Sequence, residues 1–220
     1  MIKMLKNLFM LLCLMVSVSS AHSLEYWNQN STYFVRLSLE ETQKLSWCNT
    51  LPSKNNTDLI VSGTYFNPYN NKPVALIKRW KDIHFDQPTY IPPRPLLFLP
   101  LNNTPKITYD RTNLGRWSIG GGPMLVRNSI IHISTAEEKF KSDVKKSRVF
   151  MAVGITTNKE LIFIATFNRS MKDIAWCFKF LKCTEAMRFD GGSSTYIYVK
   201  GEKEIGNRGR CSNYLFLLPK

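Results

Sequence analysis

Residues 149–199 read VFMAVGITTNKELIFIATFNRSMKDIAWCFKFLKCTEAMRFDGGSSTYIYV, and the fold is decided there. Val149 to Ile155 and Leu161 to Phe167 are rich in β-branched and aromatic residues. The polar stretch Thr156 to Glu160 between them predicts a β-hairpin. Ser170 follows, with Asp173 three residues on, the pattern of a helix start. Ile174, Cys177, Phe178 and Leu181 then recur at helical spacing and give that helix one apolar face. Ala186 to Phe189 returns to extended chain. Asp190-Gly191-Gly192-Ser193-Ser194 is a sharp turn, and Thr195 to Val199 alternates as a further strand. Strands around one well-marked helix predict an α+β fold, a single domain with a mixed β-sheet core and few helices.

The flanking sequence extends this domain. Tyr214 to Leu218 supplies a closing strand. Met124 to Ser134 reads as a strand pair turning at Asn128, and Glu137 to Lys146 as a charged, solvated loop or helix. Leu59 to Phe66 is a strand that runs into a glycine turn. Residues 67–105 hold eight of the eleven prolines. They therefore form a long surface excursion, with short strands at Pro73 to Lys78 and Leu96 to Leu99. Residues 58–220 read as one domain. Residues 24–57 are polar and Asn-rich, and read as an N-terminal extension packing on it. A short helix over Ser38 to Leu45 opens with the capping pair Ser38 and Glu41.

The chain has 220 residues, which fits one domain and a small appendage. Its 44% hydrophobic and 21% charged residues suffice for a packed core and exclude long disorder, a collagen-like fibre or a coiled coil. Residues 1–23 read as a signal peptide. Lys3 and Lys6 precede the apolar run Leu8 to Val18, and Ser19, Ser20, Ala21 and Ser23 are small, so cleavage fits after Ala21 or after Ser23. An uncleaved anchor is the alternative. The expectation is a secreted or periplasmic protein with no stable membrane insertion after cleavage. In an oxidising compartment Cys48, Cys177, Cys183 and Cys211 permit two disulfide bonds; buried thiols are the other reading. No Cys-x-x-Cys pair occurs and the histidines lie far from the cysteines in sequence, so no metal and no cofactor are assigned. The net charge of +14 points to an anionic partner. The basic residues are dispersed and no DNA- or RNA-binding motif is present, so no nucleic acid is expected.

Three glycine turns follow strands: Ser62-Gly63-Thr64-Tyr65-Phe66, Gly120-Gly121-Gly122-Pro123 and Asp190-Gly191-Gly192-Ser193-Ser194. Glycine lets a ligand approach the backbone closely. Successive N–H groups in the third turn would form an anion nest beside two hydroxyls, a tight hairpin being the plainer alternative. Taken in order with Ala152-Val153-Gly154-Ile155, the helix, and an Arg-rich turn before Asn213, these segments resemble the phosphodiester glycosidase domain family. The resemblance spans residues 58–218.

That resemblance implies a bacterial-type exported glycosidase, a hydrolase of the sugar C1–O bond of sugar-1-phosphodiesters in glycans or envelope polymers. Its partner would be a phosphorylated or anionic glycan. Carried over by position, Asp190 is catalytic, and Gly63, Thr64, Gly122, Pro123, Gly191, Gly192, Ser193 and Ser194 bind substrate. The family's arginine four residues before Gly154 is Phe150 here. Arg148, two residues earlier, falls on the same strand face and is carried as the catalytic arginine. Near the C-terminus the matching place is Gly209, flanked by Arg208 and Arg210, both read as substrate-binding. These departures favour a second function, a catalytically inactive relative that binds anionic glycans or the cell envelope. A phosphodiester is already anionic near neutral pH, so its departure needs less protonation and more charge neutralisation than an alcohol's. Asp190 would stabilise the oxocarbenium-like carbon, orient a sugar hydroxyl or position water. Glu185 is a candidate second carboxylate, or simply solvated. Trp80, Trp117 and Trp176 read mostly as core, with Trp117 the best placed of them to stack on a sugar.

Overall fold

The computed structural model describes residues 24–67, 69, 70, 72–79, 82–85, 94–100, 104–111, 115–206 and 211–219. Residues 1–23, expected to be a signal peptide, and Trp80, Arg208 and Arg210 lie outside the described residues. The hairpin expected after Val149 forms: Phe150–Thr156 pairs antiparallel with Leu161–Thr166, and every residue of both strands is buried. Burial on two faces explains why these strands read as continuous apolar runs rather than alternating ones. Met151, Val153, Ile155, Leu161 and Phe163 face the main core. Phe150, Ala152, Ile162 and Ile164 face the helix Met171–Phe180.

That helix begins as its sequence dictates. The Ser170 hydroxyl accepts the Asp173 N–H at 3.2 Å, and the Asp173 carboxylate accepts the Ser170 N–H at 3.1 Å. Such caps stabilise a helix start by about 1 kcal/mol. Ile174, Cys177 and Phe178 are buried on one face, while Trp176 and Phe180 stack on each other toward solvent.

The hairpin lies in a seven-stranded sheet. Its order is Leu24–Gln29, Thr32–Leu37, Leu161–Thr166, Phe150–Thr156, Cys183–Gly191, Met124–Arg127, Ile130–Ile131. Residues 24–57 thus contribute two strands to the main sheet. They turn at Asn30 and Ser31, both at positive φ, the geometry of a two-residue hairpin loop. A second sheet runs Lys203–Gly206, Tyr196–Val199, Leu59–Ser62, Tyr214–Leu217, Ser46–Cys48. A third runs Asp82–Phe85, Ile77–Arg79, Trp117–Gly120, Leu96–Leu99, Lys106–Thr108. One hydrophobic core joins the three sheets, from Val153 and Phe189 through Val61 and Leu215 to Ile77 and Leu97. The fold is α+β, mostly sheet, with short helices at Leu39–Lys44 and Ser142–Lys146. Among the described residues the strand pairings are antiparallel.

The disulfide bonds expected of an oxidised domain are not formed among the described residues. Cys48 donates its thiol to the Thr50 carbonyl and Cys211 to that of Asn213, both at 2.9 Å. Cys177 and Cys183 sit in the apolar layer beneath the helix. No described helix is long and apolar enough to cross a membrane.

Candidate active site

The strand Cys183–Gly191 runs between Phe150–Thr156 and Met124–Arg127 and delivers Arg188 and Asp190 to one end of the sheet. The ladder to Phe150–Thr156 shifts register between Arg188 and Gly191, so a β-bulge separates the two side chains. The three glycine turns meet at this end. The Asp190 N–H donates to the Gly63 carbonyl at 3.1 Å, and the Gly122 N–H donates to the Arg188 carbonyl at 2.7 Å. The Tyr65 hydroxyl donates to the Gly122 carbonyl at 2.9 Å. Asn213 locks the first turn, accepting the Thr64 N–H at 2.8 Å and donating to the Thr64 carbonyl at 3.3 Å. The Pro123 carbonyl, after a cis Gly122–Pro123 bond, accepts the Arg188 N–H at 3.0 Å.

Gly122 has to be glycine. Its φ of +112° suits no side chain, and a β-carbon there would run into the Glu138 carboxylate. Glu138 is 3% exposed. One of its oxygens accepts the Met124 N–H at 2.9 Å, the Tyr109 hydroxyl at 3.0 Å and the Ser134 hydroxyl. The other lies 3.8 Å from Arg94, whose guanidinium covers the Phe140 ring at 3.6 Å. Burial pushes the Glu138 carboxyl up, against those hydrogen bonds and the Arg94 charge. The sequence reading placed Glu138 in a solvated segment; only its spacing of four from Ser134 hinted otherwise.

Asp190 is pushed up to about 6 by burial, opposed by hydrogen bonds from the Gly191 N–H and the Ser194 hydroxyl and by the Arg188 charge. Burial also raises the Tyr65 hydroxyl, which feels Arg188, Asp190, Arg94 and Glu138 together. Several buried polar atoms at this place lack a hydrogen-bond partner among the described residues: Thr64 Oγ1, Arg188 Nε and Glu138 Oε2. Buried polar groups are normally paired, so these atoms are open to a ligand or a water.

Several expected contributors are placed differently. The Gly191 N–H donates to the Asp190 carboxylate at 2.7 Å and the Gly192 N–H to the Val149 carbonyl at 2.7 Å. The Gly191 and Gly192 donors of the expected nest are therefore satisfied within the protein. Arg148 is exposed rather than turned inward. Ser194 is buried against Asp190, while Gly192 and Ser193 are open to solvent. Trp117 is 4% exposed and donates its indole N–H to the Leu45 carbonyl at 3.0 Å, so it is core. Glu185 accepts the Asn128 N–H at 3.0 Å. It stands five residues from Asp190, about 17 Å along the strand. It lines a separate cleft of about 270 Å³ with Tyr109, Asp110 and Arg127. No group of three or more metal-ligating side chains gathers among the described residues.

Solved structures share this architecture, and one is a hydrolase catalytic domain. It is the zebrafish N-acetylglucosamine-1-phosphodiester alpha-N-acetylglucosaminidase catalytic domain, auto-inhibited by its pro-peptide. The match covers 92% of this chain and 86% of that one, with a TM-score of 0.68 and 14% identity. A hypothetical protein from Synechocystis matches over 88% of this chain and 61% of its own, with a TM-score of 0.59 and 12% identity. At such identities the likeness is one of fold. Residues 55–216 match the family model for phosphodiester glycosidase. The chain belongs to the phosphodiester glycosidase family, whose members are hydrolases. No curated protein matches it by sequence.

Proposed function

We propose that this protein is an exported glycosidase that hydrolyses the C1–O bond of sugar-1-phosphodiesters in anionic glycans or envelope polymers. Residues 1–23 direct its export to the cell exterior or periplasm and are removed there. The observation that carries the reading is the meeting of three glycine turns around Asp190, with a buried arginine two residues before it. In the reaction a water oxygen bonds to the anomeric carbon. The C1–O bond breaks with its electron pair passing to the phosphate oxygen, and the proton lost by water passes to the Asp190 carboxylate. The products are a free sugar and a phosphate monoester. A carboxyl titrating near 6 is largely ionised at neutral pH yet basic enough to take that proton. Its charge also faces the positive carbon of an oxocarbenium-like transition state. No second carboxylate has to protonate a leaving group that is already anionic.

The test is release of sugar from a GlcNAc-1-phosphodiester by the wild type and by Asp190→Asn. The variant keeps the turn's shape and removes the charge. It should turn over at least about 100-fold more slowly while remaining folded. A folded Asp190→Asn protein with wild-type turnover would remove Asp190 from the mechanism. A wild type that binds sugar phosphates and cleaves no diester would establish the inactive glycan-binding relative instead.

A further inference from the structure

Resting on the glycosidase reading, the question left by this site is what neutralises the phosphodiester. The N–H groups of Gly191 and Gly192 are spent within the protein, and Arg148 points to solvent. Arg188 is 2% exposed. Its guanidinium lies 4.4 Å above the Phe150 ring, and Nη1 donates to the Val144 carbonyl at 2.6 Å. Nε has no hydrogen-bond partner, and no described carboxylate forms an ion pair with it. Nη2 lies 2.7 Å from where a β-carbon at Gly191 would stand. That β-carbon would also stand 2.5 Å from the Val149 carbonyl oxygen and 2.9 Å from Phe150 Cβ, so the cation approaches the turn this closely only because residue 191 is glycine. The Asp190 carboxyl feels the Arg188 charge without forming an ion pair with it, and a buried arginine lacking such a pair is costly unless its charge is used.

We propose that Arg188 is the anion-neutralising residue of this site, acting on the substrate's phosphate across Gly191. In a water-poor setting a fixed cation acts over several ångströms with little screening. The aromatic face of Phe150 holds it there without cancelling its charge. The same contact means that the end of a longer, cationic side chain at position 150 would reach the space that Arg188 now fills. Arg188 is therefore a positioning and charge-supplying residue, distinct from the carboxylate at Asp190.

The experiment compares Arg188→Met, Arg188→Lys and the double variant Arg188→Met/Phe150→Arg with the wild type. It measures binding of GlcNAc-1-phosphate and of neutral GlcNAc, and kcat and KM for a GlcNAc-1-phosphodiester. Arg188→Met should bind the sugar phosphate at least tenfold more weakly, bind GlcNAc unchanged, and lose at least 100-fold in kcat/KM. Arg188→Lys keeps the charge and should stay within tenfold of wild type. The double variant should regain at least tenfold of the lost activity. Should Arg188→Met not fold, the lysine variant decides. Equal loss of both ligands in folded Arg188→Lys would make the arginine structural and overturn the proposal. Wild-type phosphate affinity and turnover in folded Arg188→Met would overturn it while leaving the glycosidase reading intact. A wild type that neither binds sugar phosphate nor cleaves the diester would overturn both.

Discussion

The strand Cys183–Gly191 carries a carboxylate near each end, and the two ends differ in their surroundings. Burial pushes both Glu185 and Asp190 upward, so a shifted carboxyl alone does not distinguish a site. Glu185 accepts one backbone N–H from the tight turn at Asn128, feels Arg127, and borders an open cleft. Asp190 sits where three glycine turns are tied to one another and where buried polar atoms go unpaired. What sets the Asp190 end apart is convergence: segments more than a hundred residues apart in sequence are held within hydrogen-bond distance of each other.

Breaking the convergence should have the largest effect on stability. Gly122→Ala forces a side chain onto a φ of +112° and against the Glu138 carboxylate. It should lower stability by about 3 kcal/mol or more, measured by denaturant unfolding, and abolish turnover in whatever folds. Gly192→Ala is the internal control. Its φ is +64°, but nothing lies within 4 Å of the added carbon, so the cost should stay near 1 kcal/mol.

The next contrast is in pH. Asp190 ionises near 3.8 in an unfolded chain and near 6 in the folded one. Between those values the folded state keeps a proton that the unfolded state has lost. Stability therefore falls as pH rises from about 4 to about 6 and is level above that. Glu138, also raised, adds to the fall with the same sign. Asp190→Asn removes the penalty of its own charge and should be more stable than wild type at pH 7.5 by about 2 kcal/mol. The gap should close below about pH 4. Thermal or urea unfolding across pH checks it, and an Asn variant less stable at pH 7.5 would show that the carboxylate supports the fold.

The smallest effect belongs to the other end. Glu185→Gln should change turnover less than about twofold and stability by about 0.5 kcal/mol or less, because its amide oxygen can still accept the Asn128 N–H. A hundredfold loss of activity on that substitution would move the site to the cleft.

The hairpin, the capped helix and the three glycine turns were legible because each is encoded locally, in periodicity, a capping pair or glycine. The strands Leu24–Gln29 and Thr32–Leu37 were not. Their cross-strand pair Glu25 and Arg36, 3.2 Å apart, makes the segment look polar, and their turn is the inconspicuous Asn30-Ser31. Asp190 was legible from its turn, while Arg188 and Glu138 were hidden. Nothing local tells a buried arginine in Ala186 to Phe189 from a solvated one, and Glu138 stands among charged neighbours. Of the expected anion nest, the Gly191 donor is taken up by the Asp190 carboxylate that made the turn recognisable.

The central claim is that chemistry at Asp190 breaks the bond at the sugar's anomeric carbon. The most direct measurement is hydrolysis of a GlcNAc-1-phosphodiester in ¹⁸O-water, with mass analysis of both products. The account predicts the label on C1 of the released sugar, none in the phosphate monoester, and product formation that collapses in Asp190→Asn. Label in the phosphate would mean attack at phosphorus, and would contradict it.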